Sequence, residues 1–73
     1  MKKIDLHGYT LEDALDLVER EIGSIRLTGE EADLLIITGR GVIRGELVKY
    51  LKLNNIDHNF KWGNDGAIFI RVD

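Results

Sequence analysis

The stretch Leu34-Leu35-Ile36-Ile37 constrains the fold most, because four consecutive apolar residues lie at the centre of a chain of 73 residues. Such a run is typical of a central strand that is covered on both faces of its sheet. Thr38-Gly39-Arg40-Gly41 follows directly, and an amphipathic pattern then predicts a helix at about residues 42–53. The middle of the chain is therefore predicted to be a strand that passes through a glycine loop into a helix.

Local patterns on either side of this unit predict the other elements. Alternation predicts a first strand at about residues 3–7, and an apolar stripe predicts a helix at about 10–28. Thr10 is the expected N-cap of that helix and Gly29 its C-cap, while Gly23 should cost about 1 kcal/mol within it. Gly63-Asn64-Asp65-Gly66 is a hairpin signal between two strands at about 57–62 and 67–72.

The predicted order, β-α-β-α-β-β, favours one architecture. Strand–helix–strand crossovers are nearly always right-handed, so winding in one direction places both helices on the same face of the sheet. We therefore expect residues 1–73 to form a single α/β (α+β) domain, a two-layer sandwich whose mixed four-stranded sheet has one open face. Its first two strands, parallel neighbours, end at the same edge, where open α/β sheets usually bind ligands.

Composition limits the classes of function. The chain has no cysteine, which excludes disulfides and cysteine-based zinc sites, and it shows no signal peptide or membrane span, so we expect a cytoplasmic protein without a membrane partner. The net charge of −3 argues against a wholly basic nucleic-acid binder. However, residues 38–52 contain four basic residues against one acid, whereas residues 11–33 contain eight acids against two arginines. The basic block therefore coincides with the glycine loop and the helix after it.

Asp5 and His7 are the candidate catalytic residues. In a strand they share one face, because residues two apart point to the same side. Imidazole titrates near neutral pH, so His7 is the better candidate for proton transfer. Asp5 has three candidate roles: it orients His7, acts as a base itself, or holds a divalent metal ion.

The loop after the central strand is the candidate phosphate-binding element. Gly39 and Gly41 allow close backbone approaches, and the first N–H groups of the following helix favour an anion. Arg40 offers a forked, charged donor set suited to phosphate, and Arg44 adds a second positive charge. Thr38 either donates its hydroxyl to a phosphate or closes the strand. The alternative for the whole loop is a tight turn that needs glycine for the backbone alone.

Four more residues have weaker signals. His58 lies in the third strand, where packing or exposure is expected rather than catalysis. Trp62, Phe60 and Phe69 either line the open face of the sheet as stacking platforms for bases or pack as core and cover.

The stretch Ile4-Asp5-Leu6-His7-Gly8-Tyr9-Thr10, with Glu12-Asp13-Ala14 after it, resembles the opening of an Smr (small MutS-related) domain. Thr38-Gly39-Arg40-Gly41 resembles the second motif of that family, and the resemblance covers essentially the whole chain. It implies a fold similar to the C-terminal domain of a bacterial translation initiation factor. The implied strand order is 1-2-4-3, with the fourth strand antiparallel to the others.

The resemblance also implies function. It points to a nucleic-acid nicking or RNA-cleaving endonuclease, or to a noncatalytic module that binds nucleic acid or the ribosome. Asp5 and His7 fall on the first motif and Gly39, Arg40 and Gly41 on the second, with Mg²⁺ or Mn²⁺ as the candidate cofactor. Thr38 stands where many members have a second histidine. A third hypothesis is a protein-interaction domain that uses the open face of the sheet.

Overall fold

A computed structural model describes residues 1–61 and 63–73 of the chain. These residues form two helices and four strands in the order predicted from the sequence. The elements are β1 (Lys2–Asp5), α1 (Leu11–Thr28), β2 (Ala32–Ile37), α2 (Val42–Leu53), β3 (Asp57–Lys61) and β4 (Asn64–Val72). In the described part, no helix is long and apolar enough to cross a membrane.

The four strands form one sheet in the order β1-β2-β4-β3. β1 pairs with β2 in parallel, and β4 is antiparallel to both of its neighbours, β2 and β3. Both the strand order and the reversed fourth strand are as the resemblance implies. β1 and β3 are the two edge strands, so β3 has one side that pairs with no strand among the described residues.

Both helices pack on the same face of the sheet and share one hydrophobic core. Alternate residues of each strand point to that face, because successive side chains of a strand point to opposite sides. The buried residues of this core come from both helices, from β1, β2 and β4, and from single positions beside β1 and β3; they are Ile4, Leu6, Ala14, Val18, Ile22, Leu34, Ile36, Leu47, Leu51, Ile56, Ile68, Ile70 and Val72. The two-layer sandwich predicted from the sequence is confirmed.

The other face of the sheet is only partly covered. Leu35 and Ile37, which alternate with the buried residues of β2, are half-buried, and so is Phe69, which pairs with Leu35. The apolar run of β2 therefore does not mark a strand that is covered on both faces. Leu35 and Ile37 are both flanked by paired residues of β1 and β4, so neighbouring strands lie on either side of them.

The ends of α1 agree with the local signals. Thr10 is the N-cap and accepts a hydrogen bond from the Asp13 N–H at 3.2 Å. Gly29 is the C-cap with φ +73°, and its N–H donates to the Arg26 carbonyl. The helix continues through Gly23, as the apolar stripe predicts.

The predicted hairpin is displaced. β4 begins at Asn64, so the turn signal at residues 63–66 is mostly extended strand rather than a turn. The reason is tertiary. The Gly66 carbonyl accepts hydrogen bonds from the Thr38 N–H at 2.8 Å and the Gly39 N–H at 3.0 Å, which keeps this part of β4 paired with the chain beyond β2. The β3–β4 register shifts between Phe60 and Lys61 to accommodate the extra residues.

Candidate functional site

The carboxyl ends of β1 and β2 bring the two sequence motifs together. Asp5 pairs with Ile37, and the Leu6 N–H donates to the Ile37 carbonyl at 2.9 Å. Because the strands are parallel neighbours, the chains that leave them run side by side from this edge of the sheet. The structure therefore places the segment of His7 beside the loop formed by residues 38–41.

A tight turn presents His7 at this edge. The Tyr9 N–H donates to the Leu6 carbonyl at 3.1 Å, and Gly8 adopts the positive φ of +82° that the turn needs. The Asp5 carboxylate accepts the backbone N–H of His7 at 2.9 Å. Asp5 thus fixes the backbone of the turn, and the side chains of both Asp5 and His7 are exposed to solvent.

Thr38 shapes the loop from within. It is buried, with 8% of its surface exposed, and its hydroxyl donates to the Gly39 carbonyl at 2.8 Å and lies 3.2 Å from the Gly66 carbonyl. Gly39 itself has φ +72°, a conformation that favours glycine. Of the two roles considered for Thr38, these hydrogen bonds support closing the strand and holding the loop rather than donating to a phosphate.

The two helices begin in different ways. The N-terminus of α1 is capped by the Thr10 hydroxyl and carries Glu12 and Asp13 in its first turn. The N-cap of α2 is Gly41, which has no side chain to offer, and the first turn of α2 contains no acidic residue. The first N–H groups of a helix lack intrahelical partners and carry a partial positive charge. At α2 that charge is reinforced by Arg40, whose side chain is exposed, and by Arg44.

The guanidinium of Arg44 lies over an aromatic ring. Its Cζ atom is 4.4 Å from the centroid of the Phe60 ring. Phe60 pairs with Ile68, which is fully buried in the core, so Phe60 belongs to the helix face of the sheet and not to the open face. The interpretation of Phe60 as a platform on the open face is therefore wrong. No sequence pattern signals this contact, because it depends on the β3–β4 register.

The other aromatic candidates and His58 have separate positions. Phe69 is on the open face and half-buried, whereas Trp62 is outside the described residues. His58 is half-buried, with its Nδ1 atom 2.9 Å from the Ile56 carbonyl and its ring edge-to-face with Phe60 at 6.5 Å. These contacts agree with the packing role expected for His58.

The open face carries a shallow groove of about 410 Å³, lined by charged and apolar side chains. Arg71 in this groove forms ion pairs with Asp33 at 3.1 Å and Glu31 at 3.6 Å. A hydrogen bond from Arg71 to Asp33, and then the charges of both acids, raise the pKa of Arg71. Because Arg71 is already paired with acids of this chain and the apolar centre of the face is half-buried, this face offers little support for the protein-interaction hypothesis.

A metal ion bound among the described residues would need further ligands from water or a substrate. Within residues 1–61 and 63–73, no three His, Asp or Glu side chains lie close enough together to hold one. Mg²⁺, however, often binds through one or two carboxylates and completes its coordination with water and substrate phosphates. Asp5 fits that mode, since it is exposed at the edge of the sheet where a phosphate would lie.

Comparison with known proteins agrees with this architecture. Residues 4–73 match the family described as the Smr domain. The chain belongs to the Smr domain family. This Smr domain is also 32% identical, over 65 residues, to Endonuclease MutS2 of Acetivibrio thermocellus. The match covers 88% of the chain but only 8% of that relative, which is a much longer protein.

A solved structure supports the fold. The Smr domain is similar to the crystal structure of the Smr domain of Thermus thermophilus MutS2, with a TM-score of 0.84. The alignment covers 100% of this chain and 99% of the other, at 21% sequence identity. At that identity the likeness establishes the shared fold of two helices on a mixed four-stranded sheet.

Proposed function

We propose that this Smr domain binds nucleic acid at the edge where β1 and β2 end, and that it cleaves phosphodiester bonds there. The observation that carries the proposal is the start of α2. It has a glycine N-cap, no acidic residue in its first turn and Arg40 immediately before it. The loop that leads into it leaves the sheet beside the segment that bears His7. This combination suits a phosphate, because the helix N–H groups and a guanidinium both donate to phosphate oxygens. The related Endonuclease MutS2 supports the reaction class.

In this proposal the loop and the helix bind the phosphate. The N–H groups at the start of α2 donate to its oxygens, Arg40 adds a charged donor pair, and Arg44 adds positive charge one turn further along. Gly39 and Gly41 let the backbone approach the phosphate closely. Thr38 holds the loop in shape through hydrogen bonds from its hydroxyl to the Gly39 and Gly66 carbonyls. The domain as a whole is acidic, so binding depends on this local positive field.

His7 acts as the general acid or base on the bound phosphodiester. Its exposure leaves the imidazole accessible to a substrate, and its backbone is fixed by Asp5. Asp5 also remains a candidate ligand for Mg²⁺ or Mn²⁺, with the other ligands supplied by phosphate and water.

A second candidate function is a noncatalytic module that binds nucleic acid or the ribosome through the same edge. One observation favours it: the Asp5 carboxylate accepts a hydrogen bond from the backbone of His7, at 2.9 Å, rather than from the imidazole. This hydrogen bond stabilises the turn without orienting the imidazole, so it serves binding more directly than it serves proton transfer.

A cleavage assay separates the two functions. Labelled DNA and RNA are incubated with wild-type protein in magnesium, in manganese and in chelator, and with the His7→Ala and Asp5→Asn variants. General acid–base catalysis contributes roughly 10² to 10⁴ to the rate, so His7→Ala should lose that factor while affinity stays nearly unchanged. Asp16→Asn is the matched control for Asp5→Asn, because Asp16 is an exposed carboxylate on α1.

The outcomes differ for each function. If Asp5 holds a metal ion, chelator should reproduce the effect of Asp5→Asn on the wild-type protein. Binding without cleavage under every metal condition would establish the noncatalytic module. Cleavage that survives both His7→Ala and Asp5→Asn would refute the catalytic assignment of this edge.

A further inference from the structure

Arg44 and Phe60 form a layered pair at the surface. The Cζ atom of Arg44 is 4.4 Å from the centroid of the Phe60 ring, and 47% of Phe60 is exposed. A phenylalanine on the helix face of a sheet would be expected to lie under a helix. Phe60 is instead accessible, because β3 is an edge strand. The contact also limits the freedom of the Arg44 side chain and holds the flat guanidinium against the ring.

The pair lies on the same side of the molecule as the proposed phosphate site. Arg44 is three residues after Gly41, so it occupies the first turn of α2 and lies on the same side of the helix as its N-cap. Across the sheet, Ile36 pairs with Ile68 and Ile68 pairs with Phe60. Two strand spacings of about 4.8 Å each place Phe60 roughly 10 Å from β2, whose end leads into the phosphate loop.

Two glycines, Gly41 and Gly45, leave the surface near the start of α2 without side chains at their positions. Gly45 is exposed in the helix, where glycine costs about 1 kcal/mol relative to alanine. Apart from its chain neighbours and the backbone of its own helix, a Cβ atom added at Gly41 or Gly45 would meet no described heavy atom within 4 Å, so packing within the described part does not require glycine at either position. Residues three apart on a helix are neighbours on its surface, and Gly41 is three residues before Arg44. The absence of a side chain at Gly41 therefore leaves room for a flat group to approach Arg44.

We propose that Arg44 and Phe60 form a stacking platform for an unpaired base next to the bound phosphate. This inference rests on the proposed function and names its substrate class: single-stranded nucleic acid, or a locally unpaired stretch of a duplex. A base inside a continuous duplex is stacked on both sides and has no face to offer. An unpaired base can stack on an aromatic ring or on the plane of a guanidinium, whatever its identity.

The test compares three labelled oligonucleotides of equal length by fluorescence anisotropy: a single strand, the same strand with abasic sites, and a duplex. Phe60→Leu keeps an apolar side chain but removes the ring, and Arg44→Lys keeps the charge but removes the plane. Stacking of one base should make each variant bind the single strand roughly 5- to 150-fold more weakly. For Phe60→Leu, binding to the abasic strand should stay unchanged, since its phosphates are intact. For Arg44→Lys, whose charge also belongs to the proposed phosphate site, the ratio of single-strand affinity to abasic-strand affinity should fall.

Phe69→Leu is the matched control. Phe60 and Phe69 are the two phenylalanines of the chain, and Phe69 lies on the opposite face of the sheet. The Phe69→Leu variant should bind the single strand with the affinity of the wild-type protein. Thermal unfolding verifies that each variant is folded, and Arg44→Lys provides the test if Phe60→Leu is not.

Three results would overturn the inference. The first is equal affinity of the wild-type protein for the single strand and the abasic strand, or a preference for the duplex. The second is loss of single-strand binding in Phe69→Leu but not in Phe60→Leu, which would assign base contacts to the open face. Both leave the proposed function standing. The third, no binding of the wild-type protein to any of the three oligonucleotides, would refute the proposed function together with the platform.

Discussion

Replacing Gly41 with aspartate should change stability and nucleic-acid binding in opposite directions. Gly41 is the N-cap of α2, its φ of −96° is accessible to any residue, and a Cβ there would meet none of the described residues within 4 Å. An aspartate can accept hydrogen bonds from the first N–H groups of the helix, as Thr10 does at α1. In doing so it occupies the position that we propose for phosphate.

The magnitudes follow from this geometry. Aspartate exceeds glycine as an N-cap by a few tenths of a kcal/mol, and its charge at a helix N-terminus contributes about 0.3–1 kcal/mol more. The sum, about 1 kcal/mol, should raise the Tm of a domain of this size by roughly 4–8 °C. Loss of a hydrogen bond to a charged group costs about 1.5–3 kcal/mol, so nucleic-acid affinity should fall by roughly 10- to 150-fold.

The assay pairs thermal unfolding with anisotropy titration of a labelled oligonucleotide. Ser24→Asp is the control for net charge, because Ser24 is exposed on α1 about 20 Å from the start of that helix. It should leave affinity within about a factor of two of wild type, because charges beyond a Debye length of about 10 Å are largely screened. If Gly41→Asp raises the Tm without weakening binding, no phosphate lies at the start of α2. If Ser24→Asp weakens binding equally, the effect is one of net charge alone.

Three further predictions concern the loop, helix α1 and the response to pH. Gly39→Ala should lower the free energy of unfolding by about 1–2 kcal/mol, because Gly39 has a φ of +72°. Gly23→Ala should raise the free energy of unfolding by about 0.5–1 kcal/mol, because glycine is unfavourable within a helix. Urea unfolding measures both changes, and equal effects of the two variants would contradict the backbone argument. Arg40→Ala should reduce the slope of log affinity against log salt by roughly 0.7–0.9, and an unchanged slope would place the phosphate contact elsewhere. Burial, and then Glu19, raise the pKa of Tyr50 above its usual value of 10.0, against an opposing effect of Arg26. The folded protein thus binds the Tyr50 proton more tightly than the unfolded chain does, so the free energy of unfolding should hold below about pH 10 and fall above it. Urea unfolding midpoints measured across that range should fall less for Tyr50→Phe than for the wild-type protein.

Local sequence patterns were sufficient for most of the secondary structure. The ends of α1 at Thr10 and Gly29 follow from hydrogen bonds that span only a few residues, and they are as predicted. The order of the elements and the shared helix face follow from periodicity and from the handedness of crossovers. The proximity of the His7 segment to the loop at residues 38–41 could also be predicted from the order of the elements, since adjacent parallel strands end at one edge of the sheet.

The roles of individual side chains at that edge could not be derived in the same way. The Thr38 hydroxyl is engaged with the carbonyl oxygens of Gly39 in the loop and Gly66 in β4, and Asp5 binds the backbone of His7. Both residues remain at the positions that the motifs predict. Their hydrogen-bond partners, however, are backbone groups whose positions depend on the turn at Gly8 and on the path of β4.

What the sequence determined by itself was the set of elements, their caps and the edge at which the motifs meet, because these depend on interactions within a few residues or on general rules of connection. The tertiary structure alone decided the register between β3 and β4. That register places Phe60 under Arg44, whereas the pairing of β4 with β2 places the Gly66 carbonyl opposite the N–H groups of Thr38 and Gly39. Alternation along β3 is equally compatible with either face, and only pairing with β4, whose residues are already committed to the core, selects between them.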